Sequence, residues 1–567
     1  MEKKAERWWD KIGKPQYGGE MVIRSTSNIA NFDPYNSDHF CQIYSAWLEK
    51  LFAEDWTLDP AIYDYKGVPP KKYLKGLLAE SWEFTEPTTL VIHLRKGVHY
   101  QDIPPVNGRE FNADDVVYHY HRLYGLGSGF TKPSPYHATV NAYKELISVT
   151  AADKYTVVLK WKTPYPEFIS ETVVTVHSPT AGIEPRESVE KWGNVEDWHH
   201  AIGTGPFILK DFISGSSATL VKNPNYWGHD ERYPQNKLPY IDKLRVLIVP
   251  DNGKALDMMR NGDIDVIGGI PFKQAQQLKI TNPEILQIAH PGSVATLDPR
   301  NDVKPFNDIR VRKAMQMAID LPAIARNYYS GSADPSPSTL TSNYMKGWGW
   351  PYEQWPQDLK DEYAYNPTMA KKLLADAGYP QGFKTNIVAD TDGDMELLHI
   401  VKSYFSAIGI DMDIRPMETA DLIAFAQTAH KHDQMVCRGG SLGTGMEPLR
   451  QLTRFRTGSS GTPHLMVSDP VMDSFYPKAV VANSEDEVKK ILRDANEYVA
   501  RQHFAISLVQ TINYSLCQPW LKGYSGQFAS VHMSPQSLSF YAARFWVDQN
   551  LKKSFRHEDK DKMLGKL

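Results

Sequence analysis

Residues 201–228 read AIGTGPFILKDFISGSSATLVKNPNYWG, and the role of Gly203-Thr204-Gly205 decides what kind of protein this is. A glycine pair ahead of an apolar run is either a phosphate-cradling loop or the bend that starts a strand. A Walker loop needs a Lys-Ser or Lys-Thr pair after its last glycine, and none is present here. A dinucleotide fingerprint needs a third small residue where Ile208 stands. Pro206 removes an N–H that a phosphate would use. The next residues, FILKDF and then GSSATLVKN, read as strand, turn, strand, so the bend is the better reading. GLGSG at 125–129 trails a helix instead of leading one, and reads as a C-cap and loop.

Outward from that stretch, the first half of the chain reads as strands. TTLVIHLR puts Leu90, Ile92 and Leu94 on one side, and KYTVVLKWK does the same with Tyr155, Val157, Leu159 and Trp161. NADDVVYHYHRLYG is a helix with Asn112 as N-cap and Gly125 as its stop. The second half is richer in helices. Val311, Ala314, Met315, Ala318 and Ile319 form an apolar stripe, capped by Asn307 or Asp308 and ended before Pro322. Arg310 and Arg312 flank that stripe and read as structural. NPTMAKKLLADAGYP is another helix, and MELLHIVKSYFSAIGIDMDIRP reads as helix, Gly409, strand. This alternation implies an α/β lobe.

The composition is that of an ordinary globular protein, and 567 residues make room for about three or four folding units. A net charge of −4 gives no reason to expect nucleic acid or an anionic membrane as partner. No run of about eighteen apolar residues is present to span a bilayer. The start, MEKKAERWWDKIGK, lacks the apolar segment of a secretion signal. The three cysteines, Cys41, Cys437 and Cys517, form no zinc spacing, and the set allows one disulfide, Cys41–Cys517.

No motif calls for a cofactor or a metal. His119 and His121 stand about 200° apart on a helix and cannot chelate one ion together. Neither His199-His200 nor His430 with His432 has a partner at ligand spacing. DTDGDMELL lacks the glycine and glutamate of a calcium loop at Met395 and Val401, so Asp394 reads as a helix cap. Asp263 and Asp265 read as neighbours on one strand face without acid–base logic. No nucleophile elbow and no HExxH occurs. Together these absences weigh against an enzyme.

Taken in order, about ten stretches resemble the extracellular solute-binding proteins of family 5, the peptide- and nickel-type binders of ABC importers. They include GGEMVIRSTSNIANFDP, LLAESWEFTEPTTLVIHLRKGVHYQD with FNADDVVYHYHRL, PSPY, the 201–228 stretch and NKLPYIDKLRVLIVPD. RNGDIDVIGGI, KPFNDIRVRKAMQMAID, AKKLLADAGYPQGFKT, IGIDMDI and PWLKGYSGQF continue the series. The resemblance implies an α/β fold of the two-lobed periplasmic-binding-protein type, class II and cluster C, with an extra subdomain on lobe I. Lobe I would comprise 18–53, 196–292 and 505–550, the subdomain 54–195, and lobe II 293–504, with a charged tail at 551–567. The crossings would lie near IAHPGSVATLDPR and AISLVQTINYS. The implied function is capture of a medium-sized solute by closure of two lobes, then delivery to a membrane permease, with no bond made or broken. It also implies a monomer at the periplasmic or extracellular face, exported by a signal that was removed, with a lipid anchor as one form of attachment.

Peptide binders of the family often hold the ligand's amino terminus with an aspartate in Arg-Ala-Gly-Trp-x-x-Asp-x-x-Glu-Pro. The matching stretch here is RGGSLGTGMEP, 438–448. Arg438 and Glu447-Pro448 match, but Ser441 replaces the tryptophan and Thr444 the aspartate. A threonine cannot ion-pair an ammonium, so a cationic terminus would lack its countercharge. Ser441 among Gly439, Gly440, Gly443 and Gly445 leaves space for a bulkier ligand, or makes a loop of no importance to it. Arg438 and Arg300 are candidates to hold a carboxylate or phosphate. For Arg300 the competing reading is a structural pair with Asp298 or Asp302. Trp348 and Trp350, with Trp355, offer faces for a sugar or aromatic ring, or simply pack a surface loop. The site expected from sequence is therefore Arg438, Gly440, Ser441, Thr444, Asp298, Arg300, Trp348 and Trp350. The competing functions are a binder of oligosaccharide or metal chelate on the same scaffold, and a secreted hydrolase.

Overall fold

A computed structural model describes residues 7–29, 31–35, 43–63, 71–134, 146–164, 182–341, 345, 347–391, 393–438, 448–459, 462–482, 484–524 and 541–555. The chain forms two compact units. The first comprises Met1–Ala289 with Tyr514–Leu567, and the second His290–Asn513. The chain leaves the first within the strand Leu286–Pro299 and returns within the strand Ile506–Cys517. The sequence places these changes of lobe at 292/293 and 504/505.

The first unit is built on a sheet whose central strand, Glu20–Ser25, runs parallel to Lys243–Ile248 and to Val266–Pro271. Lys243–Ile248 also pairs antiparallel with Ser217–Lys222, which pairs with Phe207–Ile213. Successive side chains point to opposite faces, and both faces are covered. Met21, Ile23, Leu244 and Val246 enter one core, and Val22 enters another with Leu256, Met259 and Ile267.

Within the same unit, four antiparallel strands stand in the order Ala79–Glu86, Thr89–Leu94, Thr156–Trp161, Leu146–Asp153. The alternation read from sequence holds: Leu90, Ile92 and Leu94 are buried, as are Val157, Leu159 and Trp161. Tyr155 precedes its strand, and its hydroxyl donates to Glu110. The helix Ala113–Tyr124 belongs to this subdomain. Asn112 caps it, accepting from the Asp114 N–H, and Gly125 ends it in the left-handed conformation.

The bend at 203–205 is a place of close backbone approach. A Cβ on Gly203 would lie 1.9 Å from the carbonyl oxygen of Trp47, and one on Gly205 would lie 2.7 Å from the Trp47 Cα. Only glycine fits at either position. The Gly205 N–H donates to the Trp47 carbonyl, and Gln101 N–H to the Gly203 carbonyl. These backbone groups are therefore spent inside the protein, and the strand Phe207–Ile213 starts directly after.

In the second unit the strands stand in the order Ile410–Met417, Phe383–Asp390, Met435–Cys437, Leu286–Pro299. The first three run parallel and the last antiparallel. The apolar stripe Val311, Ala314, Met315, Ala318 and Ile319 is buried in this unit's core, and Asp308 is the cap. That helix stops at Met317, earlier than Pro322 requires, because Asp320 caps a new start at Leu321. Pro322 sits in the first turn of that new helix, where its missing N–H costs nothing. Arg312 is buried and donates to the carbonyls of Phe306, Gln502 and His503. Asp394 caps the helix Met395–Ala407, as its position suggests.

Cys41 lies outside the described residues, and the buried Cys517 thiol is free. Asp265 precedes the strand Val266–Pro271 and does not lie on its face. Its carboxylate accepts from the Val22 N–H, the Trp520 indole and Lys552.

Candidate functional site

In the second unit the strand Leu286–Pro299 pairs with Met435–Cys437 at Asp298↔Val436 and Pro299↔Met435. Leu297 and Met435 turn to the apolar core. Asp298, and Thr296 two residues before it, turn to the other face. That face also carries Val436, packed with Val388, Leu422 and Ala426. Arg438 follows directly after the strand Met435–Cys437, two residues on from Val436. A π-helical stretch, Ile423–Thr428, brings Gln427 to the same place. Such turns often mark functional positions.

A hydrogen-bond chain links these residues. The Arg438 Nη1–H donates to Gln427 Oε1 at 3.3 Å. Gln427 Nε2 stands 3.5 Å from His464 Nδ1, and His464 Nε2 stands 2.8 Å from Asp298 Oδ2. The arginine fixes which way the amide points, because a guanidinium can only donate. The amide NH2 therefore faces His464 Nδ1, which accepts, and the imidazole donates from Nε2 to Asp298. His464 thus joins the amide to the Asp298 carboxylate.

Asp298 is 1% exposed, and its second oxygen, Oδ1, has no hydrogen-bond partner. Among the described residues it is the one buried carboxylate oxygen in that condition. The Thr296 hydroxyl beside it is also buried without a partner. His432 donates from Nε2 to the His464 carbonyl, and burial lowers its pKa to about 4, so it adds no positive charge.

Arg300 lies on the same strand end but is already engaged. Its Nε and Nη2 grip Asp302 at 2.9 and 2.7 Å, and Nη1 donates to the His432 carbonyl. The hydrogen bond to Asp302 raises the Arg300 pKa and lowers that of Asp302. Of the two structural partners weighed from sequence, Asp302 is the one it takes. Trp348 and Trp350 stand elsewhere in this unit. Trp348 is buried with Lys489 over its ring, and Trp350 is exposed with Arg493 over its own. Gly440, Ser441 and Thr444 lie outside the described residues. The structure thus brings Arg438 and Asp298 together and leaves the tryptophans apart. His464, Gln427 and Thr296 were not singled out from sequence, because no motif or periodicity marks them.

The first unit holds a cavity of about 730 Å³ walled by Trp227, Arg95, Tyr541 and Glu54, among others. Much of its polar wall is committed to protein partners: Tyr541 donates to Glu54, Arg544 to Glu231, and Arg95 to the Leu77 carbonyl while lying over Trp227. Among the described residues, no three His, Cys, Asp or Glu side chains are grouped to hold a metal ion. No helix among them is long and apolar enough to cross a membrane.

The model of the bacterial extracellular solute-binding proteins, family 5, matches residues 74–462, and the chain belongs to that family. The chain is 26% identical over 503 residues to the glutathione-binding protein GsiB of Shigella flexneri serotype 5b, covering 86% of this chain and 88% of that protein. Its fold matches the ABC transporter-associated periplasmic binding protein DppA of Helicobacter pylori, solved with the peptide STSA. The TM-score is 0.72 at 20% identity, over 94% of this chain and 99% of that one. It also matches the ABC transporter substrate-binding protein CtaP of Listeria monocytogenes, with a TM-score of 0.74 at 17% identity, over 94% and 100% of the two chains. The chain is an extracellular solute-binding protein, with a periplasmic-binding-protein fold and a location outside the cytoplasmic membrane.

Proposed function

We propose that this chain captures a short peptide or peptide-like solute, of the glutathione kind, and hands it unchanged to the permease of an ABC importer. The likeness to the glutathione-binding proteins, extending over 503 residues, carries the reading. The face around Arg438 supports it, since a half-buried guanidinium beside a buried carboxylate suits a solute bearing both signs of charge. Binding acts through differential affinity: the solute favours whichever state of the chain adds contacts to it. The protein works as a monomer and catalyses no reaction.

Thermal unfolding of the full chain, with glutathione, di- and tripeptides, oligosaccharides and metal chelates as separate additions, tests this. A peptide-type solute at a hundredfold excess over its dissociation constant should add about 2.7 kcal/mol of stability. Stabilisation by sugars or chelates alone would overturn the reading, as would recovery of a cleaved solute.

A further inference from the structure

An ion taken out of water normally has its hydrogen-bonding positions filled, because desolvation without replacement is costly. The buried carboxylates of the first unit obey this. Asp33 is gripped by both arms of Arg122 and by the Val195 N–H, and Glu184 by His119 and Arg122. Asp298 does not obey it. One oxygen takes His464, and the other takes nothing. Thr296 offers a second unfilled polar atom on the same face, and Arg438 supplies a cation on it.

We propose that Asp298 receives an ammonium group of the solute, with Thr296 beside it and Arg438 taking an adjacent carboxylate. The preferred solute then carries an ammonium and a carboxylate on one carbon, the head group of an α-amino acid. This rests on the reading of the chain as a peptide-type binder, and it deepens that reading. The charge that Thr444 cannot supply comes from a different strand. Solute and protein charges cancel pairwise, and both open polar atoms gain partners. The hydrogen-bond chain runs inward from the half-buried Arg438 and Gln427 to the buried His464 and Asp298. Both bonds made by Gln427 in this chain, at 3.3 and 3.5 Å, exceed the 2.8 Å from His464 to Asp298. Gln427 is therefore the side chain that yields when a solute enters.

Calorimetric titration of the full chain with glutathione, N-acetylglutathione and trialanine tests the assignment. Glutathione has both charges on one carbon, its N-acetyl form lacks the ammonium, and trialanine has the ammonium without a neighbouring carboxylate. The unaltered protein should bind glutathione about thirtyfold or more tighter than the N-acetyl form, and tighter than trialanine. D298N should lose that preference, binding glutathione and its N-acetyl form alike, and T296V should reduce it. Equal binding of the first two probes by the unaltered protein would overturn the proposal, as would a preference that survives D298N. The first comparison needs no variant, so it holds even where D298N fails to fold. Failure of the unaltered protein to bind any peptide-type solute would instead remove the functional reading on which this rests.

Discussion

Two buried carboxylates, Glu49 in the first unit and Asp298 in the second, show what distinguishes a structural ion from a receptive one. Glu49 is 0% exposed, and three side chains donate to it: Thr204 at 2.7 Å, Tyr226 at 2.8 Å and the Trp227 indole at 2.8 Å. Burial raises its pKa, and the three donors pull the other way. Asp298 is as deeply buried but has one donor. The first arrangement is complete without a ligand. The second has room for one more hydrogen bond of the kind a cation gives.

The largest expected effect comes from breaking the complete arrangement. Glu49→Ala leaves a buried hydroxyl, a phenol and an indole N–H without their acceptor. It should cost about 3–5 kcal/mol in urea unfolding, with failure to fold as the limit. Asp298→Asn keeps an acceptor for His464 and leaves only one amide NH2 without a partner, so it should cost less, about 1–2 kcal/mol. If the two substitutions cost the same, the contrast between the sites is wrong.

The Glu49 site also shows how much was legible in the sequence. The donors Thr204, Tyr226 and Trp227 all lie in the 201–228 stretch, whose reading as a bend and strand pair the structure repeats. Alternation at 89–94 and 156–161 and the caps Asn112, Asp308 and Asp394 were legible because they depend on near neighbours in the chain. The second site was legible only in part. Arg438 stood out through the family resemblance, and Asp298 as one of two possible partners of Arg300. His464 lies 166 positions from Asp298, and Gln427 lies 37 from His464. Side chains brought together only by the fold leave no period or spacing to read. Arg300 shows the middle case: its partner Asp302 is two residues away, and sequence held it among two choices.

A smaller effect sharpens the second half of the comparison. Arg438→Ala removes the cation beside Asp298 and frees Gln427 to turn. Affinity for a solute with a carboxylate next to its ammonium should fall about tenfold, some 1.4 kcal/mol, while a solute in which that carboxylate is blocked should be affected less. Titration with glutathione and with a glutathione ester blocked at the γ-glutamyl carboxylate separates the two. Unchanged affinity for both would take Arg438 out of the site.

The smallest effect is one of pH. His432 stays neutral in the folded chain because burial lowers its pKa to about 4, against an ordinary value of 6.5. Between those values the unfolded chain binds a proton that the folded chain does not, so unfolding gains as pH falls. The contribution is fully present above pH 6.5 and is lost on the way down to about pH 4. His432→Gln keeps a donor for the His464 carbonyl but does not titrate. Its melting temperature should therefore fall less steeply than that of the unaltered protein over this window, whereas other acid-sensitive groups, Glu184 included, act in both chains alike. Parallel melting curves for the two proteins from about pH 7 to about pH 4.5 would mean that His432 is not held neutral by burial.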